Sequence, residues 1–432
     1  MRKISKLSLV AAVAVAGFST ANAQPLEEAI KNVDVSGSVV YRYDNFGDNK
    51  INGVRGDNAN RSGKNNYKVG LNLSSKVNDY VKFNSRFLVA QGDNGGFVGL
   101  NSGRDGNTAG SDANANVTLS NAYFGFTAIP NTVVNVGKQG LATPYTVATD
   151  INGNEQNGTG ILALTNVGPV TFGAGYFNNT NLNASFELNS QQKLGYGDTL
   201  SVLNGGSDMY VATVQGDLDF VKLEAWYAGL QDTFNTYTLA ATSTLDLAEN
   251  AKLGLEARYV NLKLKQDAAN SINTDVGGTG IDAETKNDMF RLAVDGKFSI
   301  VNARLAYTKT GKNGGLTALD QDAKNTSLGW AITSNGAADA DYFQAALGAD
   351  ILDNLNFTLH YGNIKAKDST TKTIATDLNN YKAQEVYGQL TYKMSKNLTT
   401  YLRYGTYEQK EVSTGNKDMD QTRGRLQVAY TF

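Results

Sequence analysis

The sequence predicts an all-β protein, a transmembrane antiparallel β-barrel of about 18 strands, with short periplasmic turns and long external loops. Three observations carry this. Apolar and polar residues alternate with period two from end to end, and the connections alternate between short and long. The chain also stops on an alternating stretch, RLQVAYTF at 425–432, whose last residue is a large aromatic. Composition agrees, since Tyr (22), Phe (17) and Gly (45) are plentiful and Pro (4) is scarce. A mean hydropathy of −0.34 is too polar for a helical membrane protein, but only every second residue of a barrel strand faces lipid. With no cysteine, an exported chain is not a disulfide-stapled scaffold, and thiol catalysis and thiolate metal sites are excluded.

The first element is a signal peptide over 1–23. Arg2, Lys3 and Lys6 precede an apolar run from Leu7 to Phe18, and Ala21-Asn22-Ala23 sets cleavage between Ala23 and Gln24. The run is too short to span a bilayer. Residues 24–432 then form a single barrel. Losing the three leader cations takes the formal charge from −2 to −5, a near-balance that argues against nucleic acid as a partner.

The strands follow. VDVSGSVVYRYD sets Val35, Val39, Tyr41 and Tyr43 against Ser36, Ser38, Arg42 and Asp44. NYKVGLNLSS, YVKFNSRFLVAQ, AKLGLEARYVN and VNARLAYTK divide in the same way, whereas NAYFGF in the fourth strand leaves its facing ambiguous. Short connections carry turn residues, as at 76–79, 129–131, 167–169, 216–219, 247–250, 352–354 and 394–397. Long ones occupy 45–64, 92–116, 139–159, 178–207, 262–287, 309–340, 365–383 and 408–421. The count reaches 18, with 16 as the alternative, and an even number places both termini in the periplasm. Lipid supplies no hydrogen-bond partners, so the last strand must pair with the first.

On the faces opposite the lipid parity lie Arg42, Lys68, Arg86, Arg258, Arg291, Arg304, Arg403, Arg423 and Arg425, with Glu224, Glu256, Asp295 and Glu385. In a closed barrel these describe a hydrated lumen with a basic wall. The connection at 139–159 is the candidate constriction, because it presents Asp150 and Glu155 without a compensating cation; folded inward, it sets a transverse field across the pore. Asp150, Asn152 and Asn154 match the first, third and fifth ligand positions of an EF-hand loop, but Glu155 and Ile161 break the pattern. What remains is a looser divalent-cation site at Asp150 and Glu155. The single histidine, His360, has lumen parity and no nucleophile beside it, and no phosphate-binding loop occurs, so no enzyme is expected.

PLEEAIKNVDVSGSVVYRYD, VGKQ leading into TDINGNEQNGTG, and the closing RLQVAYTF resemble the major outer membrane porin family of Campylobacter and related epsilonproteobacteria. The resemblance implies an 18-stranded trimeric porin in the outer membrane of a Gram-negative cell. It also implies an inward third loop, passive and largely cation-preferring permeation, and a divalent cation, Ca2+, in the pore; no cofactor is required. Asp150 is the acid it carries to the constriction.

The expected function is passive diffusion of ions and small hydrophilic solutes through a water-filled pore. The alternatives are a substrate-specific channel and a closed barrel serving as adhesin or anchor. Expected partners are outer-membrane lipid and lipopolysaccharide, two further copies in a homotrimer, and the barrel-assembly machinery, for which Tyr430 and Phe432 at the free end are the signal.

Overall fold

The computed structural model describes residues 32–51, 54–55, 62–91, 95–100, 115–182, 205–275, 280–367 and 380–432. The leader expected at 1–23, with its expected cleavage site at Ala23 and Gln24, lies outside them.

The wall is a closed antiparallel barrel of 18 strands. Its first half comprises β1 (Val33–Asp48), β4 (Ser62–Asn78), β5 (Val81–Ala90), β7 (Asn116–Phe126), β8 (Thr132–Gly140), β9 (Asn157–Val167), β10 (Val170–Thr180), β11 (Met209–Leu218) and β12 (Val221–Leu230). The second half comprises β13 (Phe234–Ala248), β14 (Ala251–Leu264), β15 (Lys286–Phe298), β16 (Val301–Thr310), β17 (Asp341–Leu352), β18 (Leu355–Lys365), β19 (Tyr381–Lys393), β20 (Leu398–Glu411) and β21 (Lys417–Thr431). Three short strands lie outside this wall: β2 (Lys50–Ile51), β3 (Val54–Arg55) and β6 (Val98–Leu100), the last pairing with the outer end of β4.

Each wall strand pairs with its neighbours in sequence, and β1 closes on β21 in the register Ser38↔Thr431 through Asp48↔Gln421. Closure satisfies the backbone groups that a bilayer cannot. The alternation sorts the faces as expected: Leu239, Leu305 and Leu347 are more than half exposed on the outside, while Arg42, Arg258 and Arg291 are buried within. Periplasmic turns are tight, with Asn131, Asp219 and Ser299 at positive φ as short hairpins demand.

The ambiguous facing of NAYFGF has a physical cause. A bulge at Ser120 of β7 opposes Arg86 and Phe87 of β5 to Asn121 and Leu119, shifting the alternation by one. Leu119 and Phe124 therefore both face out, while Ser120 and Tyr123 both face in.

Three long connections differ from expectation. The stretch 408–421 is mostly strand, because β20 and β21 continue outward and leave only 412–416 as loop; Lys417 ties the hairpin to Glu408 and Asp420. Within 262–287 lies a helix, Gln266–Asp275, whose Ala268, Ala269 and Ile272 are buried against Leu230, Phe234 and Leu262. The connection at 311–340 is buried along most of its length and lies in the barrel rather than outside it.

Candidate pore constriction

The third external loop, residues 141–156, turns into the lumen from β8 and returns to β9. Leu141 and Tyr145 at its root join the apolar cluster under the helix, which also takes in Leu316 and Leu319 of the seventh loop, residues 311–340. Burial of these side chains draws both loops inward. They then bond to each other: Leu319 N donates to Tyr145 O (2.8 Å), Asn325 N to Pro144 O (3.0 Å) and Gln156 Nε2 to Leu319 O (2.7 Å). Ile151 N donates to the Asp322 carboxylate.

Glu155 sits almost wholly buried where the third loop meets the wall. Lys68 Nζ lies 2.9 Å from Oε1 and Arg86 Nη2 2.8 Å from the same oxygen, and the bulge residue Ser120 donates to Oε2. Burial raises the Glu155 pKa, but Lys68 and Arg86 outweigh it and hold the carboxyl below its usual range. One acid is thus matched to two cations from β4 and β5.

Asp150 is also buried but meets no cation directly among the described residues. Its carboxylate accepts from Asn154 N (2.7 Å) and Asn154 Nδ2 (2.8 Å), closing its own turn. Burial lifts its pKa to about 6, against the lowering effect of Asn154, and the nearby Asp322 charge adds to the rise. Arg42 clasps the same turn by donating to Ile151 O and to Asn152 Oδ1.

The other wall cations divide by partner. Arg258 and Arg291 share Glu256 at 3.0 and 2.6 Å, and Arg291 also donates to Lys324 O and Thr326 O of the seventh loop. Arg304 pairs with Asp295 at 2.6 Å and Arg425 with Asp44. Arg403 and Arg423 form no ion pair among the described residues. Arg403 instead stacks near Trp330, Tyr387 and Tyr401, and Arg423 near Phe46 and Tyr407. His360 stacks on Tyr387 with ring centroids 4.5 Å apart, as a wall residue.

Glu385 of β19 accepts from Trp330 N (2.9 Å) and Ala331 N (2.7 Å), fastening the seventh-loop tip to the wall. Gly329 is required beside it, because a Cβ there would overlap the Glu385 carboxylate. Two cavities meet at this tip and share Leu328 and Gly329. One of about 380 Å³ includes Arg304, Lys324, His360 and Tyr387, and one of about 220 Å³ includes Ile151, Trp330, Arg403 and Arg423.

The structure therefore brings Asp150 and Glu155 to the same loop and sets Lys68, Arg86 and Arg42 against it, while Arg258 and Arg291 hold the seventh loop. Sequence reasoning missed that second loop and with it Asp322, Lys324 and Trp330. The missed signal is composition: NGGLTALDQDAKNTSLGWAITSNGAADA carries Leu316, Leu319, Leu328, Trp330 and Ile332, too many apolar residues for a connection in water. The divalent-cation site does not fit this arrangement. Both Glu155 oxygens are engaged by Lys68, Arg86 and Ser120, and no group of three His, Cys, Asp or Glu side chains could hold a metal among the described residues.

The family model described as Campylobacter major outer membrane protein matches residues 1–432. Among solved structures, OpdL of Pseudomonas aeruginosa is similar at a TM-score of 0.67 and 14% identity, covering 93% of this chain and 99% of that one. The outer membrane protein OprD of Pseudomonas aeruginosa gives 0.65 and 16%, covering 92% and 93%. OccAB3 of Acinetobacter baumannii gives 0.65 and 14%, covering 92% and 99%. At these identities the likeness establishes the fold alone. No curated protein sequence matches the chain.

Proposed function

The chain belongs to the Campylobacter major outer membrane protein family and is a porin of the bacterial outer membrane; from that premise we propose that it passes ions and small hydrophilic solutes passively, through a lumen narrowed by the third and seventh loops together. The observation that carries this reading is the pair of inward loops bonded to each other and to charged side chains of the wall. Such a path stays hydrated, and its width and fixed charges do the filtering.

Ion preference follows from which charges are left over. Glu155, Glu256, Asp295 and Asp44 are each matched to Arg or Lys. The cation preference expected from the loop acids therefore depends on Asp150 and Asp322, is opposed by Arg403 and Arg423, unpaired among the described residues, and is weaker than two free loop carboxylates would give. We place the protein in outer-membrane lipid and lipopolysaccharide as a homotrimer inserted by the barrel-assembly machinery; crosslinking of intact cells followed by native gels tests the trimer.

Recording of purified protein in planar bilayers tests the function. Stepwise conductance in KCl with a small positive reversal potential on the cation side is expected. A barrel that inserts but never conducts would point to the adhesin or anchor role. Flux that saturates for one solute class, with no leak of others of equal size, would point to a substrate-specific channel.

A further inference from the structure

We propose that the cavity between the third-loop tip and the seventh-loop tip is a binding site for a small monocarboxylate with a flat apolar substituent, held by Arg403 and Arg423. The proposal rests on the reading of the lumen as an open aqueous path and adds a dwelling point on it.

The first observation is cationic charge without a direct ion pair. Arg403 of β20 is the register partner of Arg425 on β21, and Arg423 lies two residues along the same strand. Like charges placed directly opposite across a sheet oppose its pairing. Asp44 pairs directly with Arg425, with Oδ2 3.3 Å from Nη2 in addition to the contact at Nε, and it reaches Arg423, as Glu385 does, only through space. Arg403 and Arg423 are left with glutamine oxygens, Gln389 Oε1 at 2.8 and 2.6 Å and Gln421 Oε1 at 3.0 Å.

The second observation is the direction of the free donors. Both guanidinium groups sit over aromatic rings: Arg403 lies 5.2 Å from the Trp330 centroid and 5.0 Å from Tyr387, and Arg423 lies 5.0 Å from Phe46 and 5.1 Å from Tyr407. Rings hold the cations by their π-faces but accept no conventional hydrogen bond in the guanidinium plane, which leaves N–H donors for an acceptor there. Among the described residues, Nη1 of Arg403 and both Nη atoms of Arg423 donate to no protein acceptor. A carboxylate presents two coplanar oxygens, which is the geometry a guanidinium edge receives best.

The third observation is the wall of the cavity itself. Phe46 and Trp330 meet edge to face at 5.9 Å and supply an apolar flank, and Trp330 also carries a buried indole N–H with no acceptor. The volume of about 220 Å³ is below the roughly 300 to 1,000 Å³ typical of pockets for drug-sized ligands, so the substituent is small. Among the described residues, no acidic side chain lines the cavity.

The test is block of KCl current through single channels, with benzoate as probe and benzyl alcohol, benzylammonium and inorganic phosphate as controls. Benzoate is expected to interrupt the current transiently, acetate in excess to relieve that block, and the controls to leave it unbroken. The Arg403→Gln, Arg423→Gln double variant, checked for folding by heat-modifiable gel mobility, is expected to bind benzoate about tenfold more weakly or worse, relative to its own unblocked current. Equal block in that variant, or unbroken wild-type current in benzoate, overturns the site. Block by phosphate equal to that by benzoate overturns the carboxylate assignment. If the double variant does not fold, relief of wild-type block by acetate decides the matter, and its absence overturns the site. Loss of all conductance, by contrast, would count against the porin reading.

Discussion

Phe432 closes the barrel on Gly37: Gly37 N donates to Phe432 O (2.9 Å), Phe432 N donates to Gly37 O (3.1 Å), and the phenyl ring occupies the space a side chain at 37 would need. A Cβ at Gly37 would lie 2.7 Å from Phe432 Cζ and would also strike the backbone oxygen of Gly70, which has nowhere to go. The last residue is therefore part of the seam.

Deleting Phe432 removes both backbone bonds and exposes the edge of β1 at its periplasmic end. The expected outcome is a several-fold lower yield of folded barrel in the outer membrane, with unchanged conductance from the molecules that do insert. Gly37→Val should give the same phenotype. Normal yield from either variant would remove the seam from the assembly signal.

Glu155→Gln leaves Lys68 and Arg86 facing each other without a counter-charge in a nearly dry site. Removing one partner of a buried ion pair costs about 3 to 5 kcal/mol, and here the loss falls on the anchor of the third loop. Faster proteolysis within 141–156 and a lower unfolding temperature are expected. A shift of reversal potential toward anions should accompany them.

Asp150 titrates inside the physiological range. Its pKa of about 6 exceeds the ordinary carboxyl value, so the folded protein holds this proton more tightly than the unfolded one. Stability from this group is therefore present at low pH and falls as pH rises through about 6. For permeation, lowering the pH from about 7.5 to about 5 should neutralise Asp150 and move the reversal potential toward anions. Asp322, whose pKa burial also raises, acts in the same direction. A pH dependence that survives intact in Asp150→Asn, Asp322→Asn would assign it elsewhere.

Glu385→Ala releases the backbone N–H groups of Trp330 and Ala331 and with them the seventh-loop tip. Larger and noisier single-channel conductance is expected, because the loop no longer holds one side of the narrow section. Conductance equal to wild type would mean that the third loop alone sets the width.

The alternation of side chains and the alternation of connection lengths were enough to place the strands, the lipid face and the basic lumen, because both are local consequences of a period-two backbone in a two-sided solvent. Arg42, Lys68 and Arg86 could be assigned inward from parity alone. The facing of NAYFGF could not, since the Ser120 bulge is decided by pairing with β5, and that same bulge delivers the hydroxyl that holds Glu155.

Which loop enters the barrel is likewise a tertiary matter. The third loop announced itself by Asp150 and Glu155, yet its acids look alike in sequence, and only packing separates a carboxylate clamped by Lys68 and Arg86 from one that closes its own turn and has its pKa lifted by burial to about 6. The seventh loop enters because Leu316 and Leu319 find Leu141, Tyr145 and the helix at 266–275, partners that lie far from it in the sequence. The sequence by itself determined the barrel, its orientation and the charge on its wall, all properties of single residues in a repeating pattern. The tertiary structure decided which of those charges are neutralised and which remain for a solute, because that depends on distances between strands and loops that no local pattern encodes.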